Sequence, residues 1–398
     1  MNNFHPERTV STEQLPGPAL YPLPLGVYVH VPFCAHSCDF CAFYQEEPRR
    51  PDIERYLECM EREFASVTFP RAVDTVFWGG GTPGLLPAHD LERLGRAMLA
   101  RFSSPPKEWT IELAPPTVKS DKLAVLRDLG VTRLSLGVQS FNKEALESLG
   151  RKYSLTQVYA GIQQIRDAGF TNLNLDLMFA LPNQSPADWR RDLEAAIALN
   201  PEHISTYCLT FEEDTALWVR LQKGAVTRHN EDTEAAFYET SMDVLESAGL
   251  AQYEISNFAK SGFACQHNLD TWRMSEWRGF GPSASSQYEG RRFTNIHDLS
   301  VWQDGIQAGT PVLADEVHLT QQLLAEDSLI FGLRTAAGVD MDKLAQRFPT
   351  VDLTRLASLI DTLCKNQFAE VATPRILRLT RKGRLIADRI GIEIMEHL

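Results

Sequence analysis

The feature that most limits the fold of this chain is an exchange of two hydrophobic periods before residue 210. Short apolar runs at 27–31, 74–78, 110–113, 133–138, 172–178 and 203–209 read as strands. Between them, apolar residues recur at helical spacing over about 52–67, 88–102, 119–129, 143–149, 155–168 and 186–199. In the first of these Pro51 suits the opening helical position, and Ile53, Tyr56, Leu57, Met60, Phe64 and Val67 share one face. Six alternations predict an α/β fold with a parallel sheet and right-handed crossovers. That pattern suits a partial (β/α)6 barrel, open on one side. In barrels the chemistry sits at the C-terminal strand ends.

The residues at those ends carry chemistry. The first strand is stopped by Pro32 and followed by Cys34, Cys38 and Cys41, a C-x3-C-x2-C array. Three thiols cannot all pair as disulfides, so a shared metal centre is the better reading. Zinc and an iron–sulfur cluster are the two candidates. A structural zinc needs four protein ligands, and His36 or His30 would supply the fourth. A cubane held by three cysteines leaves one iron open to a small molecule. The second strand runs into Gly79-Gly80-Gly81-Thr82-Pro83, which reads either as a tight turn or as backbone approached closely by a ligand. Glu112 ends the third strand, Gln139 ends the fourth and Asp176 lies late in the fifth. The bland alternatives are a surface ion pair for Arg151 and plain core for Tyr28 and Phe40.

Charge and composition narrow the function. The net charge of −13 does not favour a nucleic-acid binder. No basic start precedes an apolar run at the N-terminus, and no run of roughly 18 apolar residues exists. The expectation is a cytoplasmic protein without a membrane span. The other four cysteines, Cys59, Cys208, Cys265 and Cys364, are scattered and read as small core residues or free thiols. Three regions are expected: an extended segment at 1–25, a barrel domain with an extension at 26–300, and a helical, winged-helix-like domain at 301–398. From about 210 to 300 the pattern is irregular apart from a helix at 230–248. Residues 321–398 hold eleven Lys or Arg against ten Asp or Glu, so this module presents no basic face for DNA.

The stretch Val27–Tyr44, with Phe40 before the third cysteine, resembles the radical S-adenosylmethionine (SAM) superfamily. The resemblance implies a [4Fe–4S] cluster on Cys34, Cys38 and Cys41, whose open iron binds SAM, and a reductant such as flavodoxin or ferredoxin. It implies that Gly80, Gly81 and Thr82 meet the SAM amino group. Glu112, Gln139, Arg151 and Asp176 would complete the SAM site, with Tyr28 and Phe40 packed beside it. The planar fork of Arg151 suits a carboxylate. Relatives usually carry E-x-N-P where this chain has Glu112-Leu113-Ala114-Pro115.

The segments FWGGGTP, LSLGVQSFN, LGRKYS, DLMFALPNQS, YEISNFA and HNLDTW narrow the resemblance to the oxygen-independent coproporphyrinogen oxidase-like group. Oxidases of that group have a further cysteine where this chain has Phe43, so the resemblance leans to the HemW-like branch, regarded as haem chaperones. That branch implies haem or a porphyrin-like ligand, a haem-accepting client and a role for His267, which opens the HNLDTW stretch. Here Thr271 replaces a usual tyrosine, and Ser285 stands where a histidine is frequent. Two other functions stay open: a radical enzyme acting as methyltransferase, cyclopropanase or porphyrinogen oxidase, and a zinc-stabilised interaction protein.

Overall fold

A computed structural model describes residues 23–373 and 375–398. The expected N-terminal segment lies outside them up to residue 22, and Leu25 already belongs to the first strand. Six parallel strands follow in sequence order: β1 (Leu25–Val31), β2 (Thr75–Gly80), β3 (Glu108–Leu113), β4 (Arg133–Gln139), β5 (Leu173–Phe179) and β6 (His203–Cys208). The helices between them are α1 (Arg50–Ala65), α2 (Ala88–Leu99), α3 (Ser120–Leu129), α4 (Lys143–Ser148), α5 (Leu155–Asp167) and α6 (Pro186–Ala198). This is the partial (β/α)6 barrel that the alternating periods predict.

Its strands have one apolar and one polar face. Leu173, Leu175 and Leu177 of β5 lie in the main core. Asn174 and Asp176, of opposite parity, join a hydrogen-bonded row with Ser135 and His203. Burying polar groups inside a barrel is tolerable only when they bond one another in this way.

The stretch after residue 210 differs from the irregular reading. Following α7 (Ala216–Gln222) and α8 (Glu231–Ser247), strands β7 (Ala251–Glu254) and β8 (Asn257–Ala259) extend the sheet beyond β6. After α9 (Gln266–Trp272), strands β9 (Glu276–Phe280), β10 (Ser285–Tyr288) and β11 (Arg291–Asn295) extend it beyond β1. Then come α10 (Leu299–Ala308) and β12 (Leu313–His318), which completes a twelve-stranded sheet. The buried Glu63 of α1 ties in this addition, accepting from the Gly281 N–H at 2.8 Å and the Asn295 side-chain amide at 3.0 Å. These strands escape sequence reading because they are short and carry charged residues; β12 is almost wholly exposed.

A second core gathers Leu319 to Ile394. It contains α11 (Gln321–Gly332), α12 (Met341–Arg347), α13 (Ala357–Lys365), α14 (Arg381–Arg384) and α15 (Ala387–His397). A small sheet of β13 (Val339–Asp340), β14 (Ala369–Ala372) and β15 (Ile376–Leu379) completes this helical, winged-helix-like part. The helical stretch after β15 is two pieces, α14 and α15. The module leans on α9 and β7: Trp272 packs on Phe331 at 5.9 Å, and Ala336 N–H donates to the Tyr253 carbonyl at 2.9 Å.

Candidate functional site

The loop after β1 is held by its own backbone. Cys34 N–H donates to the Glu46 carbonyl at 3.0 Å, and Glu46 N–H returns to the Pro32 carbonyl at 2.8 Å. Farther along, Asp39 N–H bonds the Leu149 carbonyl, and the Asp39 carboxylate takes Arg220 at 3.0 Å. So fixed, Cys34, Cys38 and Cys41 line one cavity of about 380 Å³. Among the described residues, no three His, Cys, Asp or Glu side chains close on a single point as one metal ion requires. A cubane instead asks each thiolate to reach a different iron. Burial pushes all three thiols up, and the nearby Arg151 charge opposes the shift. A bound metal would deprotonate them outright.

Gly80, Gly81, Thr82, Glu112, Gln139, Arg151, Asp176 and Phe40 share that cavity. The glycines are explained first by the chain itself. A Cβ on Gly79 would come 2.9 Å from Glu112, one on Gly80 would meet the His30 ring at 2.7 Å, and one on Gly81 would meet the Phe33 carbonyl oxygen at 2.7 Å. Gly80 also has φ +108°, open to glycine. Gln139 ends β4 at φ +66°, a strained angle for its type, beside a register shift against β5.

Burial acts on both carboxyl groups of the cavity. Glu112 is pushed up to about 8, mainly by burial and then by Asp176, with the Gly80 N–H and Arg133 opposing. Asp176 is also raised by burial, but Ser135 and Asn174 donate to it at 2.9 and 2.8 Å. Arg151 lies 5.6 Å from the Phe40 ring centre and 5.7 Å from that of Tyr153. Its Nε is buried without a hydrogen-bond partner, and no carboxylate among the described residues pairs with it. The surface ion pair considered from sequence is therefore absent there. A guanidinium without a carboxylate partner, in one cavity with two carboxyl groups, fits an amino acid's carboxylate and amine, so the residues present suit SAM. When bound, the cluster and SAM supply one-electron cleavage chemistry. The chain's part is to hold and orient the cofactor.

Tyr28 and His267 fall elsewhere. They line a second, larger cavity of about 820 Å³, walled by Phe77, Trp272 and Trp277 among others. Phe43 and Tyr207 line both cavities, so the two adjoin. The Tyr28 ring stacks on Phe77 at 6.3 Å, and its hydroxyl lies 3.3 Å from His30 Nδ1. His267 sits in the first turn of α9. Glu108 of β3 accepts the backbone N–H groups of Gln266 and His267, each at 3.1 Å, and so caps the helix from a distant strand. The Thr75 hydroxyl meets His267 Nδ1 at 3.0 Å. Burial lowers His267 to about 4, so the imidazole is neutral near pH 7. Thr271 turns its hydroxyl back to the His267 carbonyl at 2.9 Å.

Sequence reasoning missed Glu108, Thr75, Phe77 and the cavity residues Glu254 and Asn257. The YEISNFA stretch holds the last two, and only its resemblance singled it out.

The fold and the cysteine-lined cavity define a radical SAM protein, and the family model "Radical SAM superfamily" matches residues 28–196. The chain is 32% identical over 372 residues to the "Heme chaperone HemW" of Bacillus subtilis (strain 168), covering 92% of this chain and 97% of that one. It is 34% identical over 326 residues to the protein so named in Lactococcus lactis subsp. lactis (strain IL1403), covering 82% and 85%. A solved structure, coproporphyrinogen III oxidase (HemN) from Escherichia coli, superposes with a TM-score of 0.83 at 24% identity, over 95% of this chain and 92% of that one. This chain belongs to the HemW family within the radical SAM superfamily. Superfamily membership implies a [4Fe–4S] cluster and SAM, and the zinc-stabilised reading has no support among these relatives. No helix among the described residues is long and apolar enough to cross a membrane.

Proposed function

We propose that this chain is a cytoplasmic haem chaperone built on a radical SAM fold. In this reading Cys34, Cys38 and Cys41 hold the [4Fe–4S] cluster. Arg151 takes the SAM carboxylate, Glu112 and Gln139 the amine end, and Asp176 the ribose hydroxyls, with Gly80, Gly81, Thr82 and Phe40 forming the walls. Haem enters the larger cavity, and Tyr28 forms part of its wall. A haem-requiring client receives it, and flavodoxin or ferredoxin is the class of reductant for the cluster.

One observation carries the haem part. The aromatic-lined cavity of about 820 Å³ contains a neutral, buried imidazole whose Nδ1 is already bonded to Thr75. A hydroxyl accepting from Nδ1–H leaves Nε2 with its lone pair, the form that ligates iron. Flat apolar ligands favour mostly apolar concavities of this size. The names of the HemW relatives agree with the reading.

The test is a haem titration of the anaerobically reconstituted protein. Haem should bind at low micromolar concentration (on the order of −8 kcal/mol). His267→Ala should weaken binding and alter the haem spectrum while leaving cluster and SAM binding intact. Failure of the native protein to bind haem overturns the reading.

A further inference from the structure

Three imidazoles line the larger cavity: His30, His267 and His297. They are not equivalent. His30 is closed off. It is 4% exposed, its Nδ1 lies 3.3 Å from the Tyr28 hydroxyl, and its Nε2 is buried without a partner. Its ring is pressed against Gly80, so closely that a Cβ there would fall 2.7 Å away. Iron cannot reach either nitrogen without displacing that packing.

His267 and His297 make the same kind of Nδ1 contact, but unlike His30 neither has its Nε2 among the buried side-chain atoms that lack a partner. Each has Nδ1 bonded to a hydroxyl at 3.0 Å, Thr75 for His267 and Ser283 for His297. In neither case does Nε2 have a hydrogen-bond partner among the described residues. One ring is buried at the closed side of the cavity, and the other is exposed at its rim. The rim is built with care. Ser283 takes φ +63°, a costly angle for serine, and its N–H donates to the Ile296 carbonyl at 3.1 Å, next to His297. A metal-bound imidazole donates its other ring N–H to an outer partner, and a hydroxyl oxygen at Nδ1 can accept it and hold the ring.

We propose that His297 is a second iron ligand of the haem site, so that iron in the larger cavity is held between His267 and His297. The inference rests on the haem reading above. With both positions filled, no site is left for oxygen or peroxide on the cargo. The exposed ligand at the rim is the one a client's own ligand would displace first.

The experiment is electron paramagnetic resonance and absorption spectroscopy of the full chain saturated with ferric haem. The native complex should be six-coordinate and low-spin. His297→Ala should still bind haem but become high-spin, with haem dissociating on the order of tenfold faster, and Ser283→Ala should shift the same way less strongly. Free imidazole should restore the low-spin signal in His297→Ala. Cluster content and melting point, which His297 does not support, should stay unchanged. A high-spin native complex, or a His297→Ala spectrum identical to the native one, overturns the proposal. If the titration shows no haem uptake at all, the haem reading itself has failed, before any spin state is measured.

Discussion

Replacing Arg151 with methionine separates cofactor binding from structural support. The guanidinium sits near two aromatic faces, at 5.6 and 5.7 Å, and each contact contributes about 0.5–1 kcal/mol when partly exposed. Against this stands a buried Nε with no partner, which costs about 1–3 kcal/mol. The two terms nearly cancel, and methionine retains much of the packing. The cofactor-free variant should therefore melt within about 3 °C of the native chain. Binding is another matter. A charge-assisted hydrogen bond contributes about 1.5–3 kcal/mol, so losing the fork should weaken SAM about ten- to a hundredfold. Arg151→Lys keeps the charge without the fork and should fall between. Calorimetric titration of SAM into reconstituted protein reads the affinity. Iron content must be checked alongside, because Arg151 also opposes the upward shift of the three thiols. A variant that melts far below the native chain yet binds SAM normally would show that Arg151 is a structural residue and refute the reasoning.

Other expectations follow from the same geometry. Replacing Cys34, Cys38 and Cys41 together with alanine should remove bound iron and sulfide, and full retention of both would mean that other residues hold the cluster. Gly81→Ala places a Cβ 2.7 Å from a backbone oxygen of the cysteine loop, which cannot yield as a flexible side chain would; iron per chain should drop sharply, and normal loading would remove that argument. Glu112 titrates at about 8 in the folded chain against about 4.3 unfolded, so from about pH 5 to 8 the folded state holds a proton the unfolded state has lost. Stability of cluster-free protein should fall as pH rises through that window and level off above it. Glu112→Gln should shallow the fall, and an unchanged slope in denaturant titrations would count against the assignment. Glu108→Gln should lose one charge-assisted bond to the start of α9, about 1.5–3 kcal/mol, and weaken haem while sparing SAM; unaltered stability would mean that the cap contributes nothing.

How much of this was legible in the sequence depends on whether the signal was local. The six barrel strands are apolar runs buried beneath helices, and their motifs lie where a parallel barrel must put them. Even β2 extends two residues past its apolar run, because the glycines keep the ladder going as far as the Val31–Gly80 pair. The second cavity depended on distant contacts. Glu108 precedes the run at 110–113 and acts on residues more than 150 positions later, with nothing nearby to mark it. Tyr28 and Phe40 flank the same cysteines in sequence, yet Phe40 turns into the smaller cavity and Tyr28 into the larger one. His297 stands in no motif. It reaches the cavity because β10 and β11 pair in a hairpin with Ser285 opposite Thr294, and neither strand has an apolar alternation to announce it.

The inner face of β1 explains why two sites can share one sheet without being one site. Gly26, Tyr28 and His30 alternate along that face, spanning about 13 Å at the usual rise per residue. At one end Gly26 makes room for His267, since a Cβ there would come 3.1 Å from its ring. At the other, His30 fills the space left by Gly80, at the edge of the cysteine-lined cavity. Tyr28 stands between them against Phe77, which itself packs on His267 at 5.4 Å. The strand that delivers the three cysteines thus also shapes the wall of the larger cavity. The cysteine-lined cavity lies at the C-terminal strand ends, where barrels place their chemistry. In the proposed reading, haem would take the side where α9 and the added strands β9–β11 close the fold.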